Sequence, residues 1–341
     1  MKKTLLALVV AAAATSVNAA EIYKSEDGQV DFYGQLRTEL KFLDSKDHDA
    51  DLSSGSSRMG IDGSYALTDT IDVLGKVEVG IRDNSDVNVR QHIFGFSGDF
   101  GTIKLGKQWT TSDDVYGADY SYFFGGSGLR YLTLNGALHD SQIKYAFDAE
   151  NFWVKAGWGL NEGDTNQDLY EAFVGTSFGD LALHAGAGVN RDREHATEDF
   201  GTLDVENTYF EVTAEYSIGD HLVGATYYNS ELNNKGNSEK IDENAISVAG
   251  VFQATEKTGI YGGYEFVQQE TSGFANNEKE DGTVIYVGAV HKFNSWSRVY
   301  AEYGYGDGTT LGYSNRESDT TVGASMADGE SNFAIGARFY W

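Results

Sequence analysis

Residues 30–42 read VDFYGQLRTELKF and alternate apolar or small side chains with polar ones at every second position. Successive side chains of a strand point to opposite faces, so the pattern divides this stretch into two faces. One face carries Val30, Phe32, Gly34, Leu36, Thr38, Leu40 and Phe42, and the other carries Asp31, Tyr33, Gln35, Arg37, Glu39 and Lys41. The first face suits hydrocarbon and the second suits water. The stretch therefore predicts a β-strand between an apolar and an aqueous environment.

The same alternation recurs along the chain in about sixteen stretches of roughly ten residues. They lie near 29–43, 56–68, 70–83, 87–99, 101–110, 139–148, 151–160, 167–178, 180–190, 204–218, 220–231, 242–254, 258–270, 281–293, 296–305 and 331–341. Tight turn signals, as at 67–70 and 218–220, alternate with long polar segments, as at 43–55, 191–206, 231–243, 270–282 and 306–331. Short turns at one end and long loops at the other are typical of an outer-membrane barrel.

A soluble β-sandwich would also alternate, and the aromatic side chains argue against it. Aromatic residues bound the apolar stretches, as expected of the two interfacial girdles of a membrane barrel. The residues are Phe32, Phe42, Trp158, Phe178, Tyr216, Tyr228, Phe293 and Trp296. The fold class predicted is all-β, an antiparallel transmembrane β-barrel of about sixteen strands, which is wide enough to enclose water.

The composition excludes several other classes of protein. The 341 residues include 41 Gly but no Pro and no Cys, and the formal net charge is −27. A chain without Cys has neither a disulfide framework nor a Cys-ligated metal site. The excess of acid argues against a nucleic-acid partner, because like charges repel. The missing Pro fits a membrane sheet in which every backbone N–H must be paired.

The first residues have the features of a secretory signal peptide, which we predict over 1–19. Two lysines precede an apolar run at 5–14, and small side chains at 17 and 19 form a cleavage signal. Removing this segment takes away two lysines and no acid, which changes the net charge from −27 to −29. Beyond it, no apolar run approaches the ~20 residues of a membrane helix. We therefore expect one exported barrel domain, 20–341.

Five motifs together resemble the general (diffusion) porins of Gram-negative outer membranes, and look most similar to those of vibrios. They are Val30-Asp31-Phe32-Tyr33-Gly34, Arg58-Met59-Gly60, Gly106-Lys107-Gln108-Trp109, Phe124-Gly125-Gly126 and Gly336-Ala337-Arg338-Phe339-Tyr340-Trp341. Their order and spacing along the chain carry the resemblance. It implies an outer-membrane homotrimer in contact with lipid and lipopolysaccharide, without enzymatic activity or a cofactor. Phe339 and Trp341 would form its terminal assembly signal.

The resemblance also implies a constriction, because the third external loop of these porins folds into the channel and faces arginines on the opposite wall. That loop corresponds to 111–138, where Phe124, Gly125 and Gly126 match the family motif. The residues implied at the constriction are Arg58, Arg90, Asp119, Tyr120, Tyr122, Phe123 and His139. Phe123 stands where relatives carry an acid and His139 where they carry a base. We therefore expect a constriction that is less charged and more aromatic than in enteric relatives.

Other charged residues have the parity of the aqueous face, namely Arg37, Lys76, Glu78 and Lys155. Ordinary solvation of the lumen explains them, with a role in conduction as the alternative. The function predicted is passive diffusion of small hydrophilic solutes and ions, with a weak preference for cations because the mature chain is acidic. A barrel that serves as an adhesin or phage receptor through its acidic loops is the alternative function.

Two further motifs are weak candidates for chemistry. His139-Asp140-Ser141 contains the residue types of a hydrolase triad, but neighbours on a strand point to opposite faces and cannot form a relay. Asp47, Asp49 and Asp51 have the spacing that opens a calcium loop, but the required Gly and final Glu are missing. We predict no catalytic residue and no metal site.

Overall fold

The computed structural model describes residues 19–44, 50–81, 87–134, 137–161, 167–197, 201–311 and 324–341. The strands in these ranges are β1 (Ala20–Lys24), β2 (Gly28–Phe42), β3 (Asp51–Ser53), β4 (Arg58–Thr68), β5 (Ile71–Ile81), β6 (Val87–Gly98), β7 (Gly101–Trp109), β8 (Leu138–Asp148), β9 (Phe152–Gly159), β10 (Gln167–Phe178), β11 (Leu181–Thr197), β12 (Gly201–Ile218), β13 (His221–Asn234), β14 (Lys240–Gln253), β15 (Thr258–Ser272), β16 (Lys279–Asn294), β17 (Ser297–Leu311) and β18 (Ala324–Tyr340). Helix α1 (Thr111–Val115) and a 3₁₀ helix (Arg130–Leu132) lie between β7 and β8. Among the described residues, no helix is long and apolar enough to cross a membrane.

Sixteen long strands, β2 and β4 to β18, form one closed antiparallel barrel, which confirms the fold predicted from the sequence. Each pairs with the next along the chain, and β18 pairs with β2 to close the sheet. The short strands β1 and β3 extend the pairing of β2. Trp341 and Gly34 exchange backbone hydrogen bonds of 2.9 and 3.2 Å beside this closure. The indole of Trp341 covers Gly34, where a Cβ atom would collide with the ring.

The two faces of the wall follow the alternation seen in residues 30–42. On β2, Leu36 and Phe42 are 50% and 40% exposed on the outer face, whereas Gln35, Glu39 and Lys41 are buried inside the barrel. Strands of a transmembrane barrel alternate between lipid and lumen in this way. The exposed apolar side chains therefore form the surface that faces hydrocarbon.

Most of the aromatic side chains assigned to the girdles lie on the outer surface, and one does not. Trp158, Phe178 and Trp296 are exposed, and Phe339 of the terminal motif is exposed beside Trp296 with a ring separation of 5.6 Å. Tyr228 is only 1% exposed and points into the barrel, so its assignment to a girdle was wrong. Its neighbour on β13 faces outward, and one residue of register decides the face.

The strands extend beyond the ends that alternation predicts. The segments 191–206, 231–243, 270–282 and 306–331 are polar, yet each contains the ends of two paired strands. Above the membrane a strand needs no apolar face, so its sequence loses the alternating pattern. Cross-strand ion pairs occur there instead, as between Arg191 and Asp204 on β11 and β12, at 2.7 Å.

Two predicted features fall partly or wholly on residues that are not described. The signal peptide lies outside the described residues except for Ala19. Asp47 and Asp49 of the acidic motif also lie outside them, whereas Asp51 begins β3. The tight turns at 67–70 and 218–220 are present between β4 and β5 and between β12 and β13.

Candidate functional site

The connection between β7 and β8, residues 110–137, is the inward loop. It begins with α1, whose first backbone N–H groups point at the wall. The carboxylate of Glu171 on β10 accepts hydrogen bonds from the N–H groups of Thr111 and Ser112, at 2.6 and 3.2 Å. A helix N-terminus carries unpaired donors and partial positive charge, and this buried carboxylate satisfies both. The loop therefore enters the barrel and docks on the side chain of a lumen-facing residue.

The tip of the inward loop binds a second carboxylate, that of Glu302 on β17. Its oxygens accept hydrogen bonds from three successive N–H groups, those of Tyr122, Phe123 and Phe124, at 2.6, 3.2 and 2.6 Å. The hydroxyl of Tyr261 donates a fourth, at 2.9 Å. Successive N–H groups that converge on one anion form a nest. Glu302 thereby fixes the backbone conformation of the tip.

Two further glutamates hold the second half of the inward loop. Glu265 on β15 accepts from the N–H groups of Gly126 and Gly128, at 2.9 and 3.2 Å. Glu243 on β14 forms an ion pair with Arg130 at 2.9 Å, and both side chains are almost wholly buried. We call these four glutamates, together with Glu215, which is described next, the wall glutamates. They are Glu171, Glu215, Glu243, Glu265 and Glu302. Charge-assisted hydrogen bonds of this kind are among the strongest in proteins.

The fifth wall glutamate, Glu215 on β12, accepts a hydrogen bond of 2.5 Å from the hydroxyl of Tyr120. Burial and the nearby carboxylate raise the pKa of the Tyr120 phenol above its ordinary value. The phenol therefore stays protonated and keeps its role as the donor.

Apolar packing supplements these polar contacts beneath the inward loop. Phe124 is fully buried and lies over Gly304 of β17, where a Cβ atom would sit 2.5 Å from the Phe124 Cβ atom. Val115 and Leu132 pack in a buried cluster with the wall residue Phe173. The loop thus covers the wall from β10 to β17, and the open lumen lies against the remaining strands.

The open wall carries a compact group of charges around Glu78 on β5. Arg90 donates to its carboxylate at 2.9 Å, and Arg58 lies 3.7 Å from the same group. Tyr33 donates to it at 3.0 Å, and Trp109 lies beneath the Arg90 guanidinium at 4.9 Å. Two arginines and a tyrosine thus converge on one buried carboxylate of this wall.

A model of the Gram-negative porin family matches residues 7–311 of the chain. The chain belongs to the Gram-negative porins. Porins are channels rather than enzymes, and those named among its relatives lie in the outer membrane, so the predicted class and location are confirmed. The porin-like protein H of Photobacterium profundum is 28% identical, over 80% of this chain and 85% of the relative.

Solved structures extend this similarity across the barrel. The porin is 56% identical to in-vitro folded OmpT of Vibrio cholerae, with a TM-score of 0.86 over 94% of this chain and 100% of that one. A trimer form of in-vitro folded OmpT is 56% identical, with a TM-score of 0.87 over 93% of this chain and 100% of that one. The resemblance to vibrio porins inferred from the sequence is confirmed.

Asp119, implied at the constriction, is half-buried within the inward loop of the porin. One carboxylate oxygen accepts from the N–H of Ser121 at 2.9 Å, and the other from the hydroxyl of Tyr116 at 3.1 Å. The same carboxylate lies against Gly125, where a side chain would collide with it. Asp119 therefore shapes the loop through its own hydrogen bonds.

The aromatic residues implied at the constriction occupy different depths. Tyr122 lies against β17, where its hydroxyl accepts from Arg298 at 3.3 Å. Phe123 is half-buried, and its ring lies 5.2 Å from that of Tyr300. His139 is 3% exposed and lies against Gly159 of the neighbouring β9.

The remaining predicted lumen residues face the interior. Lys76 lies 3.6 Å from Asp62 on the neighbouring strand β4. Lys155 lies over the ring of Trp153, two residues earlier on β9, with its amine 5.2 Å from the ring centre. Arg37 is the register partner of Arg338 on β18.

Sequence reasoning missed the wall glutamates and the cation Lys144. Lys144 forms an ion pair with Asp114 of the inward loop and donates to the carbonyl of Trp109 at 2.8 Å. The parity of β17 already placed Glu302 on the aqueous face. No signal in the sequence pairs Glu302 with the inward loop, because the contact between them joins residues far apart in the chain.

Proposed function

We propose that this porin forms a water-filled channel for passive diffusion of small hydrophilic solutes and ions. The observation that carries the proposal is the docked inward loop, whose backbone N–H groups donate to glutamates of one half of the wall. The other half presents charged side chains, including Arg58 and Lys76, to the lumen. A polar solute keeps water and charged partners along this path, whereas an apolar solute has to displace water that these charges order.

The constriction in this proposal lies between the inward loop and the group around Glu78. Its proposed lining is the set Arg58, Arg90, Asp119, Tyr120, Tyr122, Phe123 and His139. Because Phe123 replaces an acid and the Asp119 carboxylate is engaged within the loop, the transverse field across the neck is weak. The neck then selects mainly by size.

We also propose a weak preference for cations that arises at the outer mouth. Exposed acidic side chains such as Glu194, Asp281 and Asp307 lie on the polar outer ends of their strands, and the mature chain carries a large negative charge. Exposed charges act over about 10 Å at 0.1 M salt but only about 3 Å at 1 M. A preference set by the mouth should therefore weaken as salt is raised.

Planar-bilayer recording tests the channel and its selectivity together. We expect steady open steps whose conductance falls when small sugars enter the pore and recovers with sugars too large to enter. Under a KCl gradient, the reversal potential should show a preference for potassium over chloride. This preference should decrease as salt is raised from about 0.1 to 1 M. A preference for chloride at low salt would contradict the assignment. Absence of open steps would favour the adhesin or phage-receptor function of the acidic loops.

The assembly and surroundings of the porin follow by similarity. We propose a homotrimer embedded in outer-membrane lipid and lipopolysaccharide, supported by the trimer form of OmpT and the apolar outer surface. The mass of the detergent-solubilised particle, corrected for detergent, tests the trimer.

A further inference from the structure

Four basic residues stand side by side across the wall near the tight-turn end of the barrel. Lys292 on β16 is the register partner of Arg298 on β17. Arg298 in turn pairs with Arg338 on β18, and Arg338 pairs with Arg37 on β2. All four have the lumen parity of their strands. We call these residues the basic row. Directly opposed like charges destabilise a sheet, so such a row calls for a compensating partner.

Carboxylates of the wall do not provide that partner. Across the described ranges, no carboxylate oxygen lies within the 4.0 Å ion-pair distance of any nitrogen of the basic row. Glu39, two residues from Arg37 on β2, is engaged elsewhere. It lies 3.4 Å from Lys41 and accepts from the hydroxyl of Tyr300 at 3.2 Å. By contrast, Arg58 and Arg90 both contact Glu78.

Tyrosine rings hold two arginines of the basic row, Arg298 and Arg338, in place without neutralising them. The Arg338 guanidinium lies 4.7 Å from the ring centre of Tyr122 and 4.8 Å from that of Tyr300. Arg298 lies 4.9 Å from the ring centre of Tyr340. Such contacts orient a guanidinium while leaving its positive charge and part of its donor set available.

The basic row lies below the inward loop, toward the end of the barrel with tight turns. Lys292 and Arg298 flank the turn between β16 and β17, and Tyr122 at the loop tip contacts both Arg298 and Arg338. Short turns face the periplasm in bacterial barrels. The row therefore borders the periplasmic side of the neck and is carried by rigid strands.

We propose that the basic row binds solutes that carry two or more linked phosphate groups. Guanidinium groups match phosphate oxygens with paired hydrogen bonds. With strands about 4.8 Å apart, four neighbouring cations extend over roughly 14 Å, longer than one carboxylate and suited to a diphosphate. The proposed channel supplies access to the row, but the binding chemistry does not depend on conduction.

Pyrophosphate is the probe for the basic row in bilayer recordings. We expect it to reduce the native current in KCl at concentrations at which chloride alone has no such effect. In the double variant Arg37→Gln/Arg338→Gln, the half-blocking concentration should rise at least about tenfold, the effect of losing charge-assisted hydrogen bonds. The control is Lys235→Gln, at the outer rim near Glu206. Pyrophosphate should block this variant at the same concentration as the native channel.

Calorimetric titration of the detergent-solubilised protein with pyrophosphate provides a second measurement. Lys292→Gln removes an exposed charge and should weaken binding by a smaller factor, about threefold. This variant decides the matter if the double variant does not fold. If the channel conducts but pyrophosphate neither blocks it nor binds to it, the proposal that the basic row binds phosphates is overturned. The proposed function is then left intact. Binding without conduction would support the row and overturn the proposed function.

Discussion

The variant Glu302→Ala is expected to open with a larger and noisier conductance than the native channel. The native carboxylate accepts hydrogen bonds from the N–H groups of Tyr122, Phe123 and Phe124. Alanine leaves these donors without their acceptor at a buried site, at a cost of about 1–3 kcal/mol each. A docked tip that loses this much free energy should leave the wall for part of the time. Histograms of single-channel steps and the variance of open current measure the effect.

Two matched variants separate loop release from general damage. Glu302→Gln keeps the shape and one acceptor oxygen, so it should fall between the native protein and the alanine variant. Glu280→Ala removes a carboxylate from the outer end of the neighbouring β16, opposite Gln269, and should leave the current histogram unchanged. A histogram for Glu302→Ala that matches the native one would show that the wall glutamate does not anchor the loop.

The variant Glu78→Gln is expected to shift selectivity toward chloride and to destabilise the barrel. Its buried carboxylate lies 2.9 Å from Arg90 and 3.7 Å from Arg58. Neutralising it raises the net charge of the neck by one and removes the acid that both bases share. Breaking a buried ion pair costs about 3–5 kcal/mol. We expect the potassium-to-chloride permeability ratio to fall at least about twofold, together with a lower thermal unfolding midpoint.

The control for Glu78→Gln is the same substitution in an ion pair outside the neck. Glu206 lies 3.0 Å from Lys235 at the outer rim, where both side chains are partly exposed. Such pairs contribute about 0–1 kcal/mol, so Glu206→Gln should leave the unfolding midpoint nearly unchanged. Its selectivity effect should disappear at 1 M salt, whereas that of Glu78→Gln should persist. Equal shifts for both variants at high salt would contradict the placement of Glu78 at the neck.

The barrel could be predicted from the sequence because each membrane strand records its two environments at every second residue. Leu36 and Arg37 already define a lipid face and a lumen face, and the tight turns give the hairpins between them. Outside the membrane this constraint disappears, which is why the outer ends of β11 and β17 read as loops. Tyr228 was misassigned because an aromatic residue suits either a girdle or a buried cluster.

The site was less accessible to sequence reasoning because its contacts join distant segments. Arg90 faces the lumen at a bulge, where Glu78 pairs with Gln91 and Val79 with Val89, leaving Arg90 as the extra residue. The identity of Glu302 was visible, but its three N–H donors lie about 180 residues earlier in the chain. Docking of this kind depends on the closed wall, and no local pattern encodes it.

Cross-linking the inward loop to the wall tests most directly whether the loop rests inside the channel. A Cβ atom at Gly128 would lie 3.7 Å from the Cβ atom of Ser247 on β14, within the range of disulfides, and the native chain has no Cys. In the double variant Gly128→Cys/Ser247→Cys, we expect mild oxidation to form the bond. Single-channel conductance should then be the same before and after oxidation, because the loop already occupies this position. Thiols that stay free in the folded barrel, or a bond that abolishes the current, would contradict a channel narrowed by a docked loop.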